Sequence, residues 1–174
     1  MNLQIDNFKE KFILKGSLLQ RQNDTKMEAY FVKNGLLRSY FVDSKGKEHT
    51  FMFAPENWLI ADFSIINNTR SAKLSIEALE ESEIYIIPKS VFEKIHLLPE
   101  NELIKQVHRF IKRIETLQER VIMLMCATAE EKYLHFLDTY PDISQRVSQK
   151  MIASYLGLTA EALSRVRKSL NTKH

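Results

Sequence analysis

Residues 149–168, near the C-terminus, read QKMIASYLGLTAEALSRVRK and contain the most specific motif of the sequence. Counted from Gln149, the fifth position is Ala153 and the ninth is Gly157, a spacing that is typical of a helix-turn-helix. A small fifth residue lets two helices approach, and the glycine supplies the left-handed conformation that ends the first helix. Thr159 is a suitable N-cap for the second helix. The apolar positions of the pattern predict the core between the helices: Ile152, Leu156, Leu158, Leu163 and Val166.

The second helix of this motif leaves a polar face that can enter a major groove. Arg165 can read guanine O6 and N7, and Glu161 can accept a hydrogen bond from cytosine N4. Lys150, Arg167 and Lys168 can reach phosphates. The motif therefore predicts sequence-specific DNA binding, and the alternative is a pair of packed helices with no role in DNA binding.

The charge distribution favours a polyanion as the partner of this segment. Residues 145–174 contain six Lys or Arg and one Asp or Glu, whereas the whole 174-residue chain has a net charge of +3. A short basic segment that coincides with a helix-turn-helix pattern favours double-stranded DNA. On charge alone, the alternative is a solvated basic tail.

Upstream, residues 12–95 have the pattern of an antiparallel β-domain. Asn34-Gly35 predicts a hairpin, because both residue types tolerate a positive φ, and a second turn is predicted at 44–47. Four further short strands are predicted at 36–42, 48–53, 72–78 and 83–87. Short strands joined by tight turns, with no ten-residue helices between them, indicate a sandwich or barrel.

After Pro99 the apolar residues follow the period of a helix. They are separated by alternating steps of four and three residues: Leu103, Val107, Phe110, Ile114, Leu117, Val121 and Leu124. This a/d heptad seam predicts a helix over 100–126, ~40 Å long at 1.5 Å per residue. The preferred interpretation is a parallel homodimer along the seam. The alternative is an amphipathic helix that lies on its own β-domain.

A further helix is predicted over 127–140, where Pro141 ends it, and residues 142–146 are predicted to be a connector. The chain is therefore expected to be an α+β protein in three parts. They are a β-roll domain at 1–98, a dimerisation helix at 99–126 and a helix-turn-helix domain at 127–174.

This order of elements resembles the Crp/Fnr superfamily of bacterial transcription regulators. In that family a jelly-roll, cyclic-nucleotide-binding-like β-roll precedes a long dimerisation helix and a C-terminal helix-turn-helix. Residues 31–58, FVKNGLLRSYFVDSKGKEHTFMFAPENW, look most like the Crp-like regulators of Bacteroidetes-type bacteria. The resemblance implies a homodimeric regulator, not an enzyme, that binds a palindromic operator in double-stranded DNA and contacts RNA polymerase.

The resemblance also implies which residues contact DNA. Crp-like proteins read bases with an Arg-Glu pair after the cap and an Arg four residues beyond the Glu. Glu161 and Arg165 match that pattern and Ala160 does not, so the preferred operator should differ from the family's best-known one. Ser148 and Gln149 stand where the family contacts phosphates. The full expected set is Ser148, Gln149, Lys150, Thr159, Ala160, Glu161, Ser164, Arg165 and Lys168.

The effector site of the family carries over less well. Cyclic-nucleotide binders use a Phe-Gly-Glu-Leu-type stretch, whose Glu binds the ribose, followed by an Arg that binds the cyclic phosphate. Here the Gly is Ala61, the Glu is Asp62, and alignment of the next strand puts Ala72 rather than Arg70 at the arginine position. Misplacing that arginine removes the main charge-assisted contact. We therefore expect no classical cyclic AMP binding and no cofactor. An unidentified effector stays open, with a pocket expected at Ala61, Asp62, Phe63, Arg70 and Ser71.

The remaining residues argue against several other classes. His49 stands alone where a metal-binding cupin needs a His-x-His pair, so no metal site is expected. No Gly-rich phosphate loop or catalytic triad order occurs. The one cysteine, Cys126, excludes an internal disulfide and, with no long apolar run for a membrane, favours a reducing cytoplasm. The functional alternative is a β-roll small-molecule sensor or cupin-like protein whose helical tail mediates protein contacts.

Overall fold

The computed structural model describes residues 8–26, 28–63 and 71–172 of the chain. The chain divides into two compact units, Met1–Gln106 and Val107–His174. The division falls within the long helix. The predicted boundaries of the three parts stay predictions.

The first unit is built on two four-stranded antiparallel sheets in the part of the chain that the structure describes. The first sheet has the order β1-β8-β3-β6 and consists of β1 (Lys9–Ile13), β8 (Ser82–Pro88), β3 (Glu28–Asn34) and β6 (Leu59–Ile60). The second has the order β2-β7-β4-β5 and consists of β2 (Leu18–Gln20), β7 (Ser75–Ala78), β4 (Leu37–Val42) and β5 (Glu48–Ala54). The predicted antiparallel β-roll is confirmed, and β4 and β5 form the hairpin expected around 44–47.

The core of this unit draws on both sheets. The first sheet contributes Ile13, Tyr30, Val32, Ile60 and Ile84, and the second contributes Leu37, Met52, Ala54, Ile76 and Ala78. Strands with one apolar face pack in this way because alternate side chains point to opposite sides of a sheet.

The prediction of a hairpin at Asn34-Gly35 is wrong. The strand β3 ends at Asn34 in the first sheet and β4 begins at Leu37 in the second, so the chain changes sheets here. Gly35 has a φ of +98°. A Cβ on Gly35 would lie 2.7 Å from the carbonyl oxygen of Glu81 and 2.8 Å from the Cα of Ser82. The glycine is needed because another stretch of backbone passes directly against it.

Helices follow the β-roll. A short helix, α1 (Lys89–Glu93), and a 3-10 turn at Ile95–Leu97 lead into α2 (Glu100–Cys126), which has the bounds that the apolar seam predicts. Glu100 and Glu102 lie in the first turn of α2, where negative charge is favourable. None of the helices among the described residues combines the length and the apolar character that a membrane span requires.

The second unit contains the C-terminal part of α2 and four further helices: α3 (Ala129–Thr139), α4 (Ile143–Arg146), α5 (Gln149–Leu156) and α6 (Ala160–Thr172). A capping box begins α3, because the Thr128 hydroxyl accepts from the Glu131 amide at 3.2 Å and the Glu131 carboxylate accepts from the Thr128 amide at 2.7 Å. The segment predicted as a connector at 142–146 includes the short helix α4. Ile143 begins that helix and is buried, which ties the segment to the core.

Candidate nucleic-acid interface

The turn between α5 and α6 has the geometry that the sequence predicts. The Ser148 hydroxyl caps α5 by accepting from the Met151 amide at 3.3 Å. Gly157 ends α5 in the left-handed region, with φ +66° and ψ +30°. The Leu158 amide then donates to the Ala153 carbonyl at 2.9 Å, which closes the helix end. The two helices are therefore joined by a tight glycine turn.

The second helix begins immediately after this turn. The Thr159 hydroxyl accepts from the Ala162 amide at 3.1 Å, as an N-cap does. Three of the five residues of the predicted shared core are buried, Ile152, Leu156 and Leu163, and the other two, Leu158 and Val166, are half-buried. Ala153, the small residue of the motif, is also buried. Because α5 and α6 pack through these apolar positions, the opposite face of α6 is left to solvent.

All nine predicted DNA contacts lie exposed on the second unit: Ser148, Gln149, Lys150, Thr159, Ala160, Glu161, Ser164, Arg165 and Lys168. Hydrogen bonds from its own amide and from the Thr159 hydroxyl lower the pKa of Glu161, and the charge of Arg165 lowers it further. Glu161 is therefore ionised at neutral pH and can act as a hydrogen-bond acceptor. Arg165 follows it by one helical turn on the same face.

One cluster in the second unit was missed by sequence reasoning. The Arg120 guanidinium on α2 stacks over the Tyr155 ring of α5, with its Cζ 4.2 Å from the ring centroid. Its Nη2 also donates to the Tyr155 carbonyl at 3.4 Å. Burial lowers the pKa of Arg120 and raises the pKa of Tyr140, whose ring packs edge-on against Tyr155. No sequence motif signals this contact, because the two partners are 35 residues apart.

The seam of α2 is largely uncovered in the single chain. Leu117 is half-buried, and the other six seam residues are between 36% and 55% exposed: Leu103, Val107, Phe110, Ile114, Val121 and Leu124. Ile104, Ile111, Ile122 and Met125, which flank the seam, are also exposed. A continuous apolar stripe of this kind marks an interaction surface.

The expected effector pocket is only partly within the described residues. Ala61 and Asp62 are buried, Phe63 is 39% exposed, Ser71 is half-buried, and Arg70 lies outside the described residues. One oxygen of the Asp62 carboxylate accepts from the amides of Lys73 and Leu74, the latter at 2.8 Å. The carboxylate thus holds the backbone that leads into β7. Among the described residues, no group of three or more His, Cys, Asp or Glu side chains is placed to hold a metal ion.

Comparison with known proteins agrees with this architecture. A family model for the cyclic nucleotide-binding domain matches residues 10–97. The chain is 30% identical to the transcriptional activator protein FnrA of Stutzerimonas stutzeri over 165 residues, covering 87% of this chain and 66% of the relative. It is 28% identical to the regulatory protein HlyX of Actinobacillus pleuropneumoniae, covering 94% of this chain and 72% of HlyX.

Among solved structures, FixK2 from Bradyrhizobium japonicum has a similar fold, with a TM-score of 0.81 at 21% identity over 95% of this chain and 85% of FixK2. FnrA and HlyX carry the names of regulators rather than enzymes. The likeness to Bacteroidetes-type members of the family stays a prediction. The β-roll, the long helix, the helix-turn-helix and these relatives together show that the chain belongs to the cyclic nucleotide-binding domain family, as a homologue of the Crp/Fnr transcription regulators.

Proposed function

We propose that this chain is a homodimeric transcription regulator that binds double-stranded DNA in a sequence-specific way. The observation that carries the proposal is the exposed face of α6, on which Glu161, Ser164 and Arg165 stand free of the helix-turn-helix core. The apolar face of α6 packs against the rest of the helix-turn-helix, so the polar face of α6 is available to a major groove. Residues 145–174, which include α6, also contain the basic excess of the chain.

Two kinds of contact are assigned to this face. Arg165 donates to guanine O6 and N7, and Glu161 accepts from cytosine N4, so these two residues specify the sequence. Lys150 and Lys168, which are exposed on α5 and α6, bind phosphates and supply affinity that does not depend on sequence. Ser148, Gln149, Thr159, Ala160 and Ser164 complete the surface.

The dimer is proposed to be parallel, along the seam from Leu103 to Leu124. Its support is the unbroken heptad spacing together with the exposure of the seam in the single chain. A two-fold dimer presents its two reading helices to the same side of the duplex, about 34–36 Å or one helical turn apart. The operator should therefore be palindromic.

Classical cyclic AMP binding is not part of the proposal. The residue at the position of the ribose-binding Glu is Asp62, and its carboxylate is engaged by two backbone amides. Calorimetry with cyclic AMP should give no saturable binding. A micromolar affinity that Arg70→Ala abolishes would show that the nucleotide site is intact.

The wider role follows the family. We propose a regulator without catalytic activity or bound cofactor, acting in the cytoplasm and contacting RNA polymerase at its promoters. The relatives' names, transcriptional activator and regulatory protein, support this role.

The test begins with the operator. Selection from random DNA should recover a palindrome, and binding to it should weaken as salt rises. Arg165→Ala should cost ~1–3 kcal/mol on that operator and little on random DNA, because one bidentate guanine contact is lost. Lys168→Ala should weaken binding to both DNAs and reduce the salt slope by about one.

The pair of variants serves as its own control, since each removes one positive charge from the same exposed face. If Arg165→Ala weakens both DNAs equally, Arg165 is a phosphate contact and the assigned reading face is wrong. If the chain selects no DNA at all, the proposed function fails.

A further inference from the structure

We propose that Arg120 is a positioning residue that fixes the helix-turn-helix on the end of the dimerisation helix and so sets the half-site spacing that the dimer accepts. The inference rests on the proposed function, because spacing has meaning only for a dimer that binds DNA. Arg120 itself lies on α2, outside the expected set of DNA contacts.

The first observation is that Arg120 holds one residue of α5 in two ways. Its guanidinium stacks on the Tyr155 ring, 4.2 Å from the centroid, and its Nη2 donates to the Tyr155 carbonyl at 3.4 Å. A planar guanidinium can stack and donate at the same time, which the single ammonium of a lysine does poorly. Ring and main chain are thus held together, so α5 cannot rotate freely against α2.

The second observation is the packing around this contact. The Tyr155 ring meets Tyr140 edge-on at 5.7 Å and Phe136 at 5.6 Å between centroids, and Phe136 meets Tyr140 at 5.5 Å. Burial of the cluster strengthens the attraction between the Arg120 cation and the ring, because water competes less for the charge. The contact is therefore partly shielded from water, with Arg120 and Tyr155 half-buried against the buried Phe136 and Tyr140.

The third observation joins the cluster to the dimer seam. Leu124 lies one turn after Arg120 on α2, and its Cδ2 is 3.4 Å from where a Cβ on Gly157 would be. The Lys132 ammonium also donates to the Leu124 carbonyl at 3.1 Å. Leu124 is therefore a seam residue that lies next to the turn of the helix-turn-helix. Contacts with the second copy and contacts with α5 therefore arise from the same two turns of α2.

These contacts matter because the covalent joint between α2 and α3 lies outside both helices and does not by itself fix their relative orientation. Only Ala127 and Thr128 separate α2 from α3. Without the Arg120 contact, rotation at that joint would move the whole helix-turn-helix relative to α2. One base pair added between half-sites moves them ~3.4 Å and about a tenth of a turn. A helix-turn-helix that is held rigidly on α2 cannot adjust to the new position of its half-site, whereas one that is held loosely can.

The experiment compares operators that differ in spacing. Binding of the wild type, Arg120→Ala and Arg120→Lys is measured on the selected operator and on versions with one central base pair inserted or deleted. The wild type should lose roughly 10-fold in affinity on altered spacing, as when one base contact is lost. Arg120→Ala should lose less than about 3-fold, and Arg120→Lys should fall between them. Lys112→Ala, at an exposed site on the same helix, controls for the lost charge and should match the wild type.

A second readout does not depend on DNA. A spin label at Ser169→Cys in a Cys126→Ser background reports the distance between the two reading heads of a dimer, since both sites are exposed. The distribution should be narrow with Arg120 and broad with Arg120→Ala or Tyr155→Leu. Tyr155→Phe keeps the ring and the carbonyl and should stay narrow.

The outcomes are separable. A wild type that selects no DNA defeats the proposed function, while the label distances still decide the role of Arg120. A wild type that binds DNA, with Arg120→Ala showing the same spacing penalty and an equally narrow distance distribution, overturns the role of Arg120. A uniform loss of affinity at every spacing, with a lower Tm, also overturns it, because that pattern is purely structural.

Discussion

Replacing Ile114 by Asp should dissociate the proposed homodimer, because Ile114 occupies the middle of the α2 seam. The side chain is 55% exposed in the single chain. Full burial of an isoleucine is worth ~1.5–3 kcal/mol, so about half of that, ~0.8–1.6 kcal/mol, remains to be gained by each copy on association. Since the two copies of the proposed dimer meet at this position, the wild-type pair contributes ~1.6–3.2 kcal/mol by the same estimate.

The substitution removes this contribution and places two carboxylates opposite each other. With the added cost of removing those charges from water, the loss should be ~2–4 kcal/mol, which raises the dimer Kd roughly 30- to 1,000-fold. Sedimentation velocity over a concentration series measures the change. Adding Leu117→Asp should leave monomers at micromolar concentration.

Lys112→Asp is the matched control, because Lys112 is exposed on the face of α2 opposite the seam. It adds the same carboxylate without touching the interface and should leave the Kd near the wild-type value. Circular dichroism should show that all variants keep their helices. The reasoning is refuted if the wild type sediments as a monomer at micromolar concentration, or if Lys112→Asp weakens the dimer as much as Ile114→Asp.

Three further results are expected. Asp62→Ala should lower the free energy of unfolding by ~2–4 kcal/mol in urea titrations, because two amides lose a charged acceptor; a loss below about 0.5 kcal/mol would contradict that role. Gly35→Ala should cost about 2–5 kcal/mol, from a left-handed φ and a collision with backbone. By contrast, Gly46→Ala has a φ of +75° but open space and should cost only about 1–2 kcal/mol, so equal costs would be inconsistent with the collision. Hydrogen bonds from the Thr128 amide and hydroxyl lower the pKa of Glu131. The stabilisation of α3 by the Glu131 carboxylate is therefore present above the ordinary Glu pKa and is lost as pH falls through the lowered value. An NMR titration that places the pKa of Glu131 at or above 4.5 would contradict the capping box.

The C-terminal reading surface could be predicted from sequence because its determinants are local. A helix is set by contacts within four residues, so the positions of Ala153, Gly157 and Thr159 were enough to fix α5, the turn and α6. The apolar period gave the bounds of α2 in the same way. Once those helices are placed, their helical period also determines that Glu161 and Arg165 share an exposed face.

The β-roll was predictable as a class but not in its connections. Asn34-Gly35 has the local chemistry of a hairpin, yet the two strands it joins lie in different sheets. The residues after this turn instead meet a distant part of the chain, since the Ser82 hydroxyl accepts from the Leu36 amide at 3.2 Å across 46 residues. Strand pairing is a long-range choice among competing partners, and a turn signal alone does not select among them.

The long helix α2, the turn between α5 and α6 and the residues exposed on α6 were therefore predictable from sequence, since each follows from neighbours in the chain, whereas the short helices α1 and α4 were not predicted. Which side chains far apart in the chain come into contact was visible only in the folded structure. Arg38 is buried with its Nη2 2.6 Å from carboxylate oxygens of both Glu48 and Glu77, and Arg120 lies over Tyr155. The spacing of residues in the sequence does not predict such pairs. A buried charge needs a partner, but the sequence does not specify where in the chain that partner lies.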